Sequence, residues 1–394
     1  MIEICSRNIC TGCGMCASAC VFGAIQMRED DFLGHLRPTI DPQKCRDCGR
    51  CQRLCPSNHH PEQIEPFMTY AAWSEDGQER ESSSSGGIMA SLYRQFINAG
   101  GYIVGTLMDD QMAARMQVAK DVEAITRFKG SKYVQAQSGN VYAECVKLLR
   151  RGNRVLFAGT PCQCAAMKNL ANGNLDNLYL VELICHGVPS PKAWKTHYSK
   201  LREIYGDRIK STRFRSKNFS ICLTLEDECG HVLYQKNKME DPYLIAFLNG
   251  ELFGEGCFSC CYAQRKRVAD LVVGDFWGLG EKKPFPYPTK KVSVIGVTTE
   301  KGKQLLDMVD TLKLVERDFE EAVEGNPQLR APYRRPEDYD VYADLLPDER
   351  INRIMYNPDV VARAEKQYEK RKRKEYVMYP LNQTKKILKA MLQK

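Results

Sequence analysis

The chain has no long hydrophobic run. Its longest mainly apolar stretches, such as Tyr102–Met108 and Leu178–Cys185, are too short to cross a bilayer. The opening MIEICSRNIC lacks the basic region followed by an apolar run that a secretory signal needs, so a cytoplasmic protein is expected. Disorder is also excluded: 43% of residues are hydrophobic and 27% charged, values of a soluble globular protein. The length of 394 residues suits two or three domains, each with its own core. Most of the chain has no charge bias either. The net charge is +8, but residues 361–394 hold eleven Lys+Arg and three Glu, which leaves 46 of each sign elsewhere. The basic balance therefore gives no reason to expect a nucleic-acid partner. Cysteine is plentiful: of eighteen, nine lie between Cys5 and Cys55. A disulfide scaffold would need an oxidising compartment, usually with a signal peptide and a small chain, so the cysteines read as metal ligands.

Two runs share the spacing C-x2-C-x2-C-x3-C: Cys10, Cys13, Cys16, Cys20 and Cys45, Cys48, Cys51, Cys55. This internal repeat is similar to the bacterial two-cluster ferredoxin pattern. Three thiolates two residues apart sit on one tight loop and bind three irons of a 4Fe–4S cubane, while the fourth crosses to the other cluster. The expected sets are Cys10, Cys13, Cys16 with Cys55, and Cys45, Cys48, Cys51 with Cys20. Gly12, Gly14 and Gly49 suit the turns and leave N–H groups facing cluster sulfur. Structural zinc fits this spacing poorly, because zinc sites pair two knuckles of two ligands. Cys5 lies outside the pattern and reads as a buried thiol. The second run is followed by Pro56, the first by Val21.

His59-His60-Pro61 and the following Glu-Pro look like a linker. Beyond it, strands and helices alternate in an α/β pattern with an antiparallel part. Expected helices are Gly87–Ala99, Val141–Arg150, Lys192–Tyr205 and one from Lys301. Expected strands are Gly101–Met108, Arg154–Ala158, Leu178–Ile184, Ile209–Arg215, Ile221–Glu226, Val232–Lys236, Asp270–Val273 and Ser293–Thr298. Ser82–Ser85 with Gly86-Gly87 opens a helix: serines would cap it, and free N–H groups would suit a phosphate. Cys162 and Cys185 each follow a strand, and Cys257-Phe258-Ser259-Cys260 precedes one. Spacing alone leaves two alternatives open for these four, convergence on a four-thiolate site or scattered buried thiols.

In order along the chain, GGIMASL, KGSKYV, GTPCQ, CHGVPSP and CFSC…ADLVVGDFWG resemble the beta subunits of coenzyme F420 (deazaflavin) hydrogenases and dehydrogenases, over roughly residues 5–300. Relatives of that family include 7-hydroxymethyl chlorophyll a reductase and bacterial proteins with a fused ferredoxin module. The resemblance implies FAD and a third 4Fe–4S cluster beside it. It implies Cys162, Cys185, Cys257 and Cys260 as ligands, with Cys164 and Cys261 as nearby alternatives. It also implies Ser85, Gly86, Gly87, Lys132, Tyr133, Gly159 and Thr160 at the flavin, and His186 as a flavin contact or proton donor. Ser85 stands where hydrogenase beta subunits often carry Asp.

Three domains are expected: a two-cluster ferredoxin-like domain (1–65), an α/β flavin- and cluster-binding catalytic domain (66–335) and a basic helical extension (336–394). Together they read as an iron–sulfur flavoprotein oxidoreductase. Electrons would pass between an external carrier (ferredoxin or a redox subunit) and FAD, with hydride transfer to or from a small organic molecule. Coenzyme F420 and a polysaccharide-pathway metabolite are both open as that substrate. The alternative is an electron-relay subunit with no substrate site of its own. An oligomer is compatible with either. The extension, with KRKRK at 370–374 and Ile387, Leu388, Met391 and Leu392 at helical spacing, reads as a solvated helix packed on its own body or as a peripheral contact with an anionic membrane.

Overall fold

The structure is a computed structural model that describes residues 3–173, 175–216 and 221–391. In chain order the strands are β1 (Ile25–Glu29), β2 (Leu36–Ile40), β3 (Met68–Ser74), β4 (Tyr102–Met108), β5 (Ala114–Ala119), β6 (Val155–Gly159), β7 (Leu178–Leu183), β8 (Ser211–Arg213), β9 (Cys222–Glu226), β10 (Val232–Asn237), β11 (Leu271–Asp275), β12 (Ser293–Val297) and β13 (Leu312–Glu316). Eight of them form one mixed sheet in the order β13-β3-β12-β11-β7-β6-β4-β5. Its centre is parallel, with β4, β6, β7 and β11 side by side. The flanks β5, β12, β3 and β13 pair antiparallel.

The centre is covered on both faces, as parallel strands require. Every residue of β6 is buried. On one face lie the helices Val141–Arg150 and Pro161–Ala171, with Tyr142, Phe157 and Met167 in the core. On the other lie Ile88–Asn98, Glu123–Phe128 and Glu300–Asp307. The antiparallel sheet β10-β9-β8 packs with the helices Pro191–Tyr205, Pro242–Leu248 and Pro347–Met355 into a third core. Within it, buried Asp241 accepts from Tyr234 Oη at 2.6 Å and pairs with His197 Nε2 at 3.0 Å. The helix Pro358–Met391 leaves this core, tied down by Arg371, whose Nε donates to Glu240 at 2.6 Å. The side chains of Ile387, Leu388, Met391 and Leu392 lie outside the described ones.

The amino-terminal module, with hairpin β1–β2, does not hang from a slack linker. Ile64 and Arg267 exchange both backbone hydrogen bonds, at 2.8 and 2.9 Å. Met15, Cys16, Ala19, Ile25 and Cys55 share a core with the helices Val141–Arg150 and Pro161–Ala171. Gln135 stitches the contact: its Oε1 accepts from Leu36 N at 2.7 Å, and its Nε2 donates to Gly12 O at 3.2 Å. Tyr142 Oη donates to Cys13 O and Tyr262 Oη to Pro56 O, at 3.1 and 2.6 Å.

One local expectation is corrected. The serines do not cap the helix Ile88–Asn98, whose N-cap is Gly87 with no side-chain hydrogen bond. Ser82 ends a preceding short helix, Ser84 Oγ accepts from Ser131 N, and Ser85 Oγ accepts from Ser293 Oγ, both at 2.9 Å. The serines tie loops together. Gly86 is there for close approach, because a Cβ would lie 2.5 Å from Ala72 O.

Candidate functional site

The parallel strands end on one edge of the sheet, where loops converge. β6 runs into Thr160-Pro161-Cys162. A capping box between Thr160 and Gln163, with Pro161 in the first turn, starts the next helix there and fixes Cys162. Thr160 Oγ1 lies 3.2 Å from Cys162 Sγ. β7 ends just before Cys185. The loop carrying Cys257 and Cys260 is pinned to β7 by Arg267, which forms a buried ion pair with Glu182 and donates to Tyr262 O and Gln264 O at 2.9 and 2.6 Å.

These elements bring Cys162, Cys185, Cys257 and Cys260 into electrostatic reach of one another. Burial pushes the Cys185 thiol up to about 12, with Cys162 and Cys257 adding to the shift. Burial takes Cys257 to about 11 and Cys260 well above the usual thiol range. Four thiols away from water, with no nitrogen or oxygen ligand among them, form a soft donor set of the kind that holds iron–sulfur clusters. Cys164 turns away, its Sγ donating to Val181 O inside the core. Cys261 lies half-buried beside Tyr262 and within reach of Cys162.

The ferredoxin-type cysteines fall into two further groups. Cys16 lies near Cys10 and Cys55, and Cys51 lies near Cys20 and Cys48, so each fourth cysteine crosses to the other loop. Cys45 stands on the outer loop two residues before Asp47, to which its thiol donates at 3.6 Å. Cys13 is in reach of Cys16, Cys55 and also Cys162, which places the inner group next to the body's thiols. Thr11 reaches Cys162 from the inner loop, and its buried hydroxyl is otherwise unsatisfied. That orphaned donor suits an anionic, sulfur-rich group. Cys5 hydrogen-bonds Cys10 and Cys55 and lowers both, to about 6 and about 7. None of the eighteen cysteines is in a disulfide.

A cleft of about 1340 Å3 opens between Ser82–Ser84, Lys129–Lys132, Met108–Met112 and Ile209–Ser216, with Lys291 on its wall. Its lining carries eight cations against four carboxylates, a balance that favours an anionic ligand. Lys132 lines it and donates to the carbonyls of Arg127, Phe128 and Lys129 at 3.2, 3.0 and 2.8 Å. Burial pushes the Lys132 ammonium down to about 7. Arg215 also lines the cleft, and donates to Tyr133 Oη at 2.7 Å and Asp275 at 2.8 Å. Arg215 and Lys291 were not legible as site residues, since their only signal was a basic residue in a loop.

The residues that the resemblance assigned to the flavin stand in separate places. Lys132 is in the cleft. Ser85, Gly86 and Gly87 pack behind it, where Gly86 N donates to Ser293 Oγ at 2.9 Å. Tyr133 stacks on Phe247 with ring centroids 4.9 Å apart. Gly159 and Thr160 adjoin Cys162. The ring of His186 is walled by Phe247, Phe253 and Tyr333 at 5.6, 5.5 and 5.1 Å. Its Nδ1 meets the Gln328 amide, its Nε2 is buried without a partner, and burial lowers its pKa. His186 does not line the cleft.

Residues 152–322 match the family described as the carboxyl terminus of the coenzyme F420 hydrogenase/dehydrogenase beta subunit, and residues 9–59 match the 4Fe-4S dicluster domain. This is a coenzyme F420 hydrogenase/dehydrogenase beta-subunit domain behind a 4Fe-4S dicluster domain. The beta-subunit domain holds Cys162, Cys185, Cys257 and Cys260, and the dicluster domain holds both cysteine runs. Among similar proteins is the F subunit of the F(420)H(2) dehydrogenase of Methanosarcina mazei, 22% identical over 192 residues, or 46% of this chain and 55% of that protein. Another is the B subunit of the Na(+)-translocating ferredoxin:NAD(+) oxidoreductase complex of Acetobacterium woodii, 41% identical over 52 residues, or 13% of this chain and 14% of that protein. The chain thus spans about half the length of the first and a smaller part of the second. A chain of the F420-reducing nickel–iron hydrogenase complex of Methanosarcina barkeri superposes with a TM-score of 0.45 at 16% identity, covering 79% of this chain and 95% of that one. The chain is an iron–sulfur protein related to redox-enzyme subunits. Among the described residues no helix is long and apolar enough to cross a membrane.

Proposed function

We propose that this chain is an iron–sulfur flavoprotein that exchanges electrons between an external carrier and a small organic substrate. The observation that carries the reading is the series of three thiol groups. It runs from exposed Cys48 on the outer loop, through Cys13, to buried Cys162 at the sheet edge. Clusters held there would supply single-electron transfer, and FAD in the cleft would supply hydride chemistry. Cys10, Cys13, Cys16 and Cys55 would hold one cluster, Cys20, Cys45, Cys48 and Cys51 a second, and Cys162, Cys185, Cys257 and Cys260 the third. The domains would be those expected, 1–65, 66–335 and 336–394.

The cleft residues have definable tasks. Lys129, Lys132, Arg215 and Lys291 would neutralise the diphosphate of a dinucleotide. Asp275 and Tyr133 hold Arg215 in place, so little side-chain freedom is lost on binding. The volume exceeds that of most single-ligand pockets and leaves room for a second, acidic molecule such as coenzyme F420 or a polysaccharide-pathway metabolite. His186, buried beside Cys185, would act on the cluster side of the site and not in the cleft.

Anaerobic iron, sulfide and flavin analysis of the purified chain tests this. About 12 irons and one flavin per chain are expected from three cubanes; about 8 irons without flavin would leave a relay without its own substrate site. For the carboxyl-terminal helix, whose segment 361–394 carries eleven cations and three carboxylates, we propose peripheral contact with anionic lipid. Liposome co-sedimentation unchanged by deleting 361–394 would overturn that part.

A further inference from the structure

We infer that the outer cysteine loop and the Cys20–Gly23 turn form one docking face for an acidic, one-electron carrier protein. The inference rests on reading Cys20, Cys45, Cys48 and Cys51 as cluster ligands.

The face has an apolar centre and a cationic rim. Val21 is 78% exposed, more than any other large apolar side chain among the described residues, and its neighbour Phe22 is 47% exposed. They follow Cys20, the cysteine that crosses to the outer group. The rim is built from Lys44, Arg46, Arg50 and Arg53, all exposed. Two hydrogen bonds show that rim and centre are one surface. Arg50 Nε donates to Ala19 O at 3.2 Å, next to the Val21-Phe22 turn. Arg53 donates to Cys48 O at 2.9 Å. Two acidic side chains stand in the same stretch: Asp41, paired with Lys44 at 3.4 Å, and Asp47. Cys48, the exposed member of the thiol group, lies inside this rim.

The crossing of the fourth cysteines explains why the apolar pair is here. Cys55 goes inward, so its follower Pro56 is buried. Cys20 goes outward, so Val21 and Phe22 are carried to the surface. No fold requirement covers them, and exposed apolar side chains ringed by cations fit a partner with an apolar patch ringed by carboxylates. One electron leaves the reduced carrier and one enters the chain at the outer thiol group; no bond or proton changes place. Small acidic iron–sulfur or flavin carriers meet this description. The short path at Cys48 requires close apposition but not a large interface, which suits a transient complex.

The test is isothermal titration of the anaerobic, cluster-loaded full chain with an oxidised acidic two-cluster ferredoxin. One site is expected, with Kd rising about tenfold from 50 to 200 mM salt. Lys44→Glu/Arg46→Glu should weaken binding about tenfold and flatten the salt dependence, while Arg46→Lys keeps both. Phe22→Ser should weaken binding several-fold with the salt dependence unchanged. Iron content of each variant is measured in parallel. Full iron with unaltered binding, no binding by the parent chain, or tighter binding of a basic c-type cytochrome would each overturn the docking face. An iron count lacking the outer cluster would instead overturn the reading beneath it.

Discussion

The two cysteine loops of the amino-terminal module share one covalent frame and stand in opposite surroundings. At the second position after the first cysteine, Gly12 and Asp47 both adopt positive φ, 64° and 48°. Inside, only glycine fits, because a Cβ on Gly12 would lie 2.2 Å from Gln135 Nε2 and 2.5 Å from Leu36 O. Outside, Asp tolerates the left-handed conformation and stands exposed. One turn on, fully buried Met15 corresponds to exposed Arg50, and Ser18 to Arg53. Spacing sets the ligand geometry, and surroundings choose the residues between ligands. The inner loop is a piece of the body's core, and the outer loop is a surface.

The comparison breaks most sharply at the cysteines. Cys13→Ser and Cys48→Ser should each lower iron by about 4 per chain, as loss of one cubane requires. Only Cys13→Ser should also lower the anaerobic melting temperature, because its loop belongs to the core. If both variants melt alike, the contrast between loops fails. Next in size is packing. Met15→Ala should cost about 2–5 kcal/mol in denaturant unfolding, whereas Arg50→Ala should stay within about 0.5 kcal/mol. Gly12→Ala should destabilise by a similar amount to Met15→Ala, through backbone strain and the clash with Leu36 O.

A smaller effect comes from the inner side of the β1–β2 hairpin. Buried His35 meets Val188 O through Nε2 at 3.1 Å, and burial holds its pKa down at about 4 against an ordinary 6.5. The folded chain therefore binds fewer protons than the unfolded chain between those values. Its contribution is complete above pH 6.5 and is lost as pH falls towards 4. Unfolding between about pH 7.5 and 5.5 should show a loss of about 1 kcal/mol that disappears in His35→Gln. The smallest effect is Asp47→Gly, which should leave stability and iron content unchanged within error.

Local patterns were readable and distant meetings were not. The cysteine repeat, the helix Val141–Arg150 and the buried strands β6 and β7 stand close to their expected limits, because spacing and continuous apolar runs are properties of neighbouring residues. β3 went unseen: its Met68–Ser74 buries small Ala71 and Ala72 and has few β-branched residues, so nothing in it announces a strand. β13 and β5 were also missed, each a short run with no turn signal to set it apart. The cleft draws Ser82–Ser84, Lys129–Lys132, Arg215 and Lys291 from four separate stretches. The partner of His186, Gln328, is 142 residues away. Such meetings are set by the sheet order, which no single stretch encodes.

The order in which the three thiol groups become complete during synthesis differs widely. The module's eight cysteines have all been made by residue 55, when neither the sheet nor the helices that cover the inner loop exist. The group at the sheet edge has its last member at Cys260, after β7 has been made but before β11. A ribosome-bound chain would thus offer its first two metal pockets to the assembly machinery in open form. The third becomes available much later, in a chain already partly folded. Metal loading in the cell is then a sequence of events spread along translation, and arresting synthesis between residues 60 and 250 should trap a species carrying two clusters and no more.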